Sequence, residues 1–421
     1  DWRGRTYPQT IGIRKGVCMT RAFLIVMDSV GVGGAPDADT FFNGDCPDTG
    51  ANTLAHIAQA CSDGRAEEGR SGPLMIPHLE KMGLGAAMAH ASTDPVPGLS
   101  ASPEGLYGVA TEVSRGKDTP SGHWELAGVP VPWEWHYFPD TSPAFPADIM
   151  DMTAQLCGAG GTLANCHASG TEVIERFGAQ HVETGWPIIY TSADSVMQIA
   201  AHEEHFGLER LLQLCKDLSP VLHEMKIGRV IARPFVGSVE DGFTRTQNRH
   251  DYAVSPPSPT LLDWAHDAGR KTYAIGKIGD IFSMRGVDDL RKGTDAVLFD
   301  HLCDVVDEAP EGAFVFANFV EFDSLYGHRR DVSGYARHLE WFDAQIARLL
   351  PRLKDGDLIV FTADHGNDPT WIGTDHTRER VPVLGLGVGF KPIGAVSFVD
   401  VAASIAQHLG VPAQGPGRSF L

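Results

Sequence analysis

The chain has 421 residues, of which 43% are hydrophobic and 21% charged, the balance of a folded globular protein long enough for two domains. A formal net charge of -20 argues against nucleic acid or an anionic membrane surface as a partner, and no apolar run reaches the ~18 to 20 residues that cross a bilayer. Seven cysteines, an odd number without Cys-x-x-Cys spacing, argue for reduced thiols; with no leader pattern at the start, the expected location is cytoplasmic.

Residues 1–18 lack periodicity and are expected to form an extension outside the fold. The apolar run 23–27 then reads as a buried strand that stops at Asp28. Gly31, Gly33 and Gly34 follow it as a turn, because the dinucleotide pattern Gly-x-Gly-x-x-Gly is absent. A helix is expected over 52–60, and 73–103 is rich in loops. In the stretch from Gly116 to Leu126, Thr119 before Pro120 reads as a helix N-cap with proline at the first helical position. A helix start is also a phosphate cradle. A threonine hydroxyl held there beside metal ions could attack a phosphoryl group.

From about Trp133 the style changes. Pro139, Pro143 and Pro146 interrupt the chain. A helix over 171–177, a strand over 187–191, an amphipathic helix over 208–218 and a strand over 229–234 are expected to follow. The stiff run Ser255-Pro256-Pro257-Ser258-Pro259 returns the chain to its earlier pattern. The expectation is an inserted domain, residues 134–256, between two parts of one core, 19–133 and 257–421.

Beyond the insertion strand and helix alternate, which predicts an α/β fold with a parallel-rich sheet flanked by helices. A helix over 260–268 precedes a strand over 272–275 that ends near Lys277. The apolar run 314–319 delivers Asp323 and then His328. Tyr335, Leu339, Phe342, Ile346 and Leu349 recur at helical spacing and mark a buried helix face. The run 358–361 leads into Asp364 and His365, with His376 a short loop away. A strand over 382–386 and a helix over 398–409 close the chain.

Three distant strand-like runs thus stop at a carboxylate. An ionised carboxylate at the lip of an apolar strand costs several kcal/mol unless it is paired or bound to a cation. Carboxyl ends of parallel strands are also where α/β folds bind ligands. Any one of Asp28, Asp323 or Asp364 alone reads as a turn former or helix cap. Together with His328, His365 and His376 they read as an oxygen and nitrogen shell suited to Mn, Zn or Mg.

The motifs Asp28-Ser29-Val30-Gly31-Val32-Gly33, Gly116-Lys117-Asp118-Thr119-Pro120-Ser121-Gly122-His123-Trp124-Glu125, Thr191-Ser192-Ala193-Asp194-Ser195-Val196, Phe322-Asp323-Ser324-Leu325-Tyr326-Gly327-His328 and Thr362-Ala363-Asp364-His365-Gly366-Asn367 together resemble the bacterial phosphopentomutases of the alkaline phosphatase superfamily. The resemblance runs from about Thr20 to the C-terminus. It implies an alkaline-phosphatase-like core with an inserted α+β cap domain. It further implies one manganese ion on Asp28, Asp364 and His365, a second on Asp323, His328 and His376, and Thr119 between them as the residue that carries phosphate. Ser192, Asp194, Arg229 and Arg245 from the cap, with Lys277 from the core, match the family's substrate contacts.

The activity implied is interconversion of ribose 1-phosphate and ribose 5-phosphate, or their 2-deoxy analogues, through a bisphosphate, with glucose 1,6-bisphosphate as activator. The expected partners are small sugar phosphates, with no obligate protein partner. Glu321 departs from the pattern, which has aspartate there, and it shares a strand face with Asp323. A phosphoglycerate mutase, a phosphatase or an inactive metal-stabilised binding protein are the alternatives.

Overall fold

The computed structural model describes residues 20–192 and 195–421, so the expected extension and Asp194 lie outside the described residues. The strand Ala22–Met27 is buried along its whole length. It lies between Phe314–Phe319 and Leu358–Thr362, parallel to both, with Met27 opposite Phe319 and Val26 opposite Thr362. The three apolar runs are therefore neighbours with level carboxyl ends. Strands buried on both faces carry continuous apolar sequence instead of alternation, which made these three legible.

They form the middle of an eight-stranded sheet ordered Asp289–Arg291, Thr272–Ile275, Phe314–Phe319, Ala22–Met27, Leu358–Thr362, Val381–Leu386, Leu106–Thr111 and Lys391–Ser397. Only Val381–Leu386 runs against the rest, antiparallel to both of its neighbours. Leu106–Thr111 carries Gly108, where a Cβ would overlap the backbone of Gly394 on the next strand, beside a register shift between Pro392 and Gly394. Among the helices, Thr53–Ser62 packs on Val332–Leu349, and Phe398–Leu409 packs on both Thr119–Leu126 and Leu261–Asp267. The expected helix over 260–268 is this last one, with Thr260 outside it as the cap residue of a capping box with Asp263.

A second, six-stranded sheet lies between the two halves of this core in sequence, in the order His250–Ala253, Arg229–Ser238, Val196–His202, Ile188–Thr191 and Leu163–His167, with Gly242–Arg245 paired to Arg229–Ser238. Its helices are Ala147–Cys157, Gly170–Thr184 and Leu208–Glu224. The last two outrun the expected 171–177 and 208–218. Gly185 in a left-handed conformation ends the first, and Pro220 is carried inside the second. The apolar side chains form separate clusters. The large one draws on 22–135 and 261–411, while Met197, Leu214, Leu218 and Val230 belong to a second and Val173, Tyr190 and Phe235 to a third.

Candidate active site

Asp28 follows directly on its strand, and Ser29 takes a left-handed turn at φ 64°. That turn aims the Ser29 N–H at Asp364 Oδ1, 3.1 Å away, so the ends of two strands are tied together. Asn318, the one amide in the buried run Phe314–Phe319, donates from Nδ2 to Asp28 Oδ2 at 2.7 Å. Asp28 Oδ1 is buried and accepts no hydrogen bond among the described residues. It lies 3.7 Å from His365 Nε2, which is 3.3 Å from Asp364 Oδ2. Burial raises the Asp28 carboxyl well above its usual range, and the carboxylates of Asp364 and Asp323 push the same way. Anions gathered in such a place call for a cation.

Three histidines complete the cluster, each anchored through Nδ1. His365 Nδ1 donates to Gly366 O at 3.1 Å, His376 Nδ1 to Lys117 O at 2.7 Å and His328 Nδ1 to Thr374 O at 2.6 Å. This fixes the tautomer and leaves each Nε2 as a lone pair directed at the cluster. Asp323 Oδ2 lies 3.0 Å from His328 Nε2 and Oδ1 3.4 Å from His376 Nε2. Burial opposes ionisation of Asp323, yet His376 and His328 beside it hold its carboxyl well below the usual range. Burial pushes His365 down to about 4, so it is neutral and competent as a ligand.

These donors fit divalent metal. Asp323, His328 and His376 bring ligand atoms within 4.8 Å of one another, and so do Asp28, Asp323 and His365. Asp364, expected with Asp28 and His365, lies with Oδ2 3.3 Å from His365 Nε2 and 3.0 Å from His123 Nδ1. Asp323 thus lies within reach of both sets.

Thr119 begins the helix Thr119–Leu126, but it does not cap it. Asp118 does, accepting from Ser121 N and Ser121 Oγ at 3.0 Å each. The expected N-cap is therefore displaced by one residue, because an aspartate one position earlier reaches the same orphan N–H. This releases the Thr119 hydroxyl, which lies 3.3 Å from His365 Nε2. His123, one turn on, is fully buried beneath it. Its Nδ1 is 2.9 Å from Thr119 O and 3.0 Å from Asp364 Oδ2, and its Nε2 accepts from Asn318 Nδ2 at 3.0 Å.

Above the cluster lies a cavity of about 220 Å³. Thr119, Asp323, His328 and His376 line it together with Arg229, Asp251, Lys277 and the apolar Trp124, Trp135 and Ile281. Arg229 Nη1 is 3.6 Å from Asp251 Oδ2, and Arg249 holds the same carboxylate in a fork at 2.6 and 2.7 Å. Burial lowers the Lys277 pKa, and Arg249 lowers it further. Arg245 is not in this cavity. It lines a larger groove of about 940 Å³ with Arg233 and Arg249. Ser192 Oγ accepts from Gln198 Nε2 at 3.4 Å, and Gln198 Oε1 in turn accepts from Arg233 Nε at 2.9 Å.

Comparison with known proteins follows the same lines. Residues 20–413 match the model of the Metalloenzyme superfamily. A phosphopentomutase of Chelativorans sp. (strain BNC1) is 55% identical over 411 residues, covering 96% of this chain and 98% of that one. Phosphopentomutases of Rhizobium leguminosarum bv. trifolii (strain WSM2304) and Rhizobium meliloti (strain 1021) are each 53% identical over 412 residues, covering 96% of this chain and all of theirs. The chain belongs to the phosphopentomutase family. It is accordingly an isomerase of the intramolecular phosphotransferase class and binds divalent metal.

For a member of the phosphopentomutase family, the sequence reading left out four side chains that the structure brings to the site. His123 and Asn318 join the threonine to the carboxylates, Asp251 lines the cavity, and Arg249 holds Asp251 from the neighbouring groove. Asn318 had a usable signal, an amide inside an otherwise apolar buried run. Asp251 and Arg249 had none, since they stand in a polar stretch where charge is the norm. No helix among the described residues is long and apolar enough to cross a membrane.

Proposed function

We propose that the chain interconverts ribose 1-phosphate, or 2-deoxyribose 1-phosphate, and the corresponding 5-phosphate through phosphorylated Thr119 and a pentose bisphosphate. The observation that carries this reading is the Thr119 hydroxyl, freed from capping, beside His365 and open to the cavity that Arg229 and Lys277 also line. Asp28, Asp364 and His365 would hold one manganese ion and Asp323, His328 and His376 the other. Bound there, they would supply positive charge against the phosphoryl group in flight and favour an ionised attacking oxygen.

In this scheme the phosphoryl group leaves Thr119 Oγ1 for the free hydroxyl of the bound sugar phosphate. The P–O bond to threonine breaks as a P–O bond to the sugar forms, and the proton lost by the sugar hydroxyl is regained at Thr119 Oγ1, giving the bisphosphate and free threonine. After reorientation, Thr119 Oγ1 takes back the other phosphoryl group, so atoms and charge balance over the cycle. Asp118 fixes the start of the helix, and His123 holds the Thr119 carbonyl against Asp364. Arg229 and Lys277 receive the phosphate that is not being transferred, and Ser192, Asp194 and Arg245 extend that recognition into residues 134–256, acting as a cap. Trp124, Trp135 and Ile281 present apolar surface toward the transfer site. Excluding water matters because water reaching phosphothreonine would turn the reaction into hydrolysis.

Glucose 1,6-bisphosphate fits the role of the primer that first phosphorylates Thr119. A cytoplasmic place of action suits the free thiols of Cys46, Cys61, Cys157, Cys166, Cys215 and Cys303. The test is to supply ribose 5-phosphate and 3-phosphoglycerate separately to manganese-loaded protein and identify products, with intact mass before and after priming. Ribose 1-phosphate and a gain of one phosphoryl group are expected. Turnover of 3-phosphoglycerate alone, or release of inorganic phosphate only, would refute the assignment.

A further inference from the structure

We infer a further divalent-cation site, separate from the paired cluster, formed by Asp295, Glu321 and His338. These three side chains bring ligand atoms within 4.8 Å of one another. Asp295 opens the helix Asp295–Glu308, and its side chain is only 1% exposed. Its Oδ2 lies 2.9 Å from His338 Nε2 and accepts from Glu321 N at 3.1 Å. Its Oδ1 is buried and has no hydrogen-bond partner among the described residues. A buried carboxylate oxygen left unmatched is costly, and a cation is the usual remedy.

The charges make the same point. Two carboxylates meet a single imidazole, so even a protonated His338 balances one of two negative charges. The His338 ring cannot easily swing away, since it stacks on Trp341 at 4.9 Å and meets Phe322 edge-on at 4.4 Å. A recess of about 250 Å³ lined by Glu321, His338, Tyr326, Trp341 and Arg337 gives a way in. Arg337 is engaged elsewhere, donating to the carbonyl of Glu68. Two carboxylates and one imidazole form a mixed hard shell that suits Mn²⁺, Mg²⁺ or Zn²⁺.

The competing explanation is a polar cap. Thr294, at the N-cap position, makes no side-chain cap bond, and Glu321 Oε1 accepts from Asp295 N at 3.2 Å in its place. That bond accounts for one Glu321 oxygen and leaves Asp295 Oδ1 unmatched. A cation satisfies both, and it explains the use of glutamate, with its longer reach, at position 321. It would also pin the turn Phe322–Gly327 that carries Asp323, giving the remote ion a mechanical link to the paired cluster.

The test is equilibrium dialysis of the full chain against Mn²⁺ with elemental counting, comparing wild type, Glu321→Gln and His338→Gln. Glutamine at 321 retains a carbonyl acceptor for Asp295 N, so the helix start survives. Each variant is expected to bind one Mn²⁺ fewer per chain than wild type, whereas Asp323→Asn lowers the count through the other cluster. Equal counts in wild type and both variants, with only a shifted melting temperature, would establish the polar cap and overturn the site, whatever the total. A manganese anomalous map of the wild-type chain decides the matter even if the variants misfold: a peak between Asp295 and His338 supports the site, and its absence at saturating Mn²⁺ overturns it.

Discussion

The Nε2 atoms of His328 and His376 face each other at 3.1 Å, while the Nδ1 of each is committed to a backbone carbonyl. Two lone pairs at that distance repel, and a shared cation turns the repulsion into ligation. Removing metal with a chelator is therefore expected to lower the thermal midpoint, and Mn²⁺ to restore it. Binding at a hundredfold excess over Kd contributes about 2.7 kcal/mol. Superimposable melting curves with and without chelator would mean that the rings pack this way unaided.

Separating the capping residue from the hydroxyl that faces the cluster gives a second test. Thr119→Ala leaves the Asp118 cap intact, so its stability is expected to stay within ~0.5 kcal/mol of wild type. Turnover should fall by roughly 10⁴ to 10⁶-fold, the scale seen when a covalent nucleophile is removed. Asp118→Ala should instead lose about 1 kcal/mol of stability through the lost cap. Chemical melts and initial rates on both variants check the division. A Thr119→Ala protein with substantial mutase activity would rule out the covalent route.

How much of this was readable in advance follows from where each residue sits. Asp28, Asp323 and Asp364 end apolar runs, and a charge at the end of a buried strand stands out against its surroundings. The level carboxyl ends of those strands could not be read, because register depends on which strands pair. The cap at Asp118 was missed by one position, since Asp118 and Thr119 are both good caps and local sequence does not choose between them. Leu106–Thr111, Asp289–Arg291 and Lys391–Ser397 escaped notice for another reason. They are short or carry Gly108, Pro392 and Gly394, so neither periodicity nor a long apolar run announces them. Arg245 was grouped with Arg229 by the family resemblance, yet the two line different cavities, a separation made by the fold of the second sheet.

Gly122 shows how closely the threonine helix rides on the backbone of Asp364. A Cβ there would overlap the Asp364 carbonyl oxygen and lie 2.8 Å from its carbon. Gly122→Ala must push the helix away from Asp364 and carry Thr119 away from His365. The expected stability cost is about 1 to 3 kcal/mol, typical of overpacking. The rate should suffer more, by about 100-fold for a displacement near 1 Å. Steady-state kinetics should show the loss in kcat with KM nearly unchanged. Wild-type kcat in a folded Gly122→Ala protein would mean that the distance from Thr119 to the cluster does not govern transfer.

Glu379 supplies a pH test away from the reacting groups. Its Oε1 accepts from Thr53 Oγ1 at 2.7 Å and Thr377 Oγ1 at 2.6 Å, and its Oε2 accepts from Gly33 N and Thr53 N at 2.9 Å each. Burial and the neighbouring Asp368 nevertheless raise its pKa from 4.5 to about 7. Because the folded value lies above the unfolded one, the stability due to this group is fully present below about 4.5 and is lost as pH rises through about 7. Glu379→Gln keeps the shape without the titration, its carbonyl placed on the two backbone donors, although its amide now faces two hydroxyls that had donated to the carboxylate. That mismatch costs about 1 to 3 kcal/mol in acid. The stability advantage of wild type over the variant should then shrink by about 3 kcal/mol between roughly pH 5 and 8. Urea melts of both proteins across that range read the difference, to which Asp368 and His56 also contribute because each feels the Glu379 charge. An advantage that stays constant would mean that the four donors keep Glu379 ionised throughout, with hydrogen bonding prevailing over desolvation.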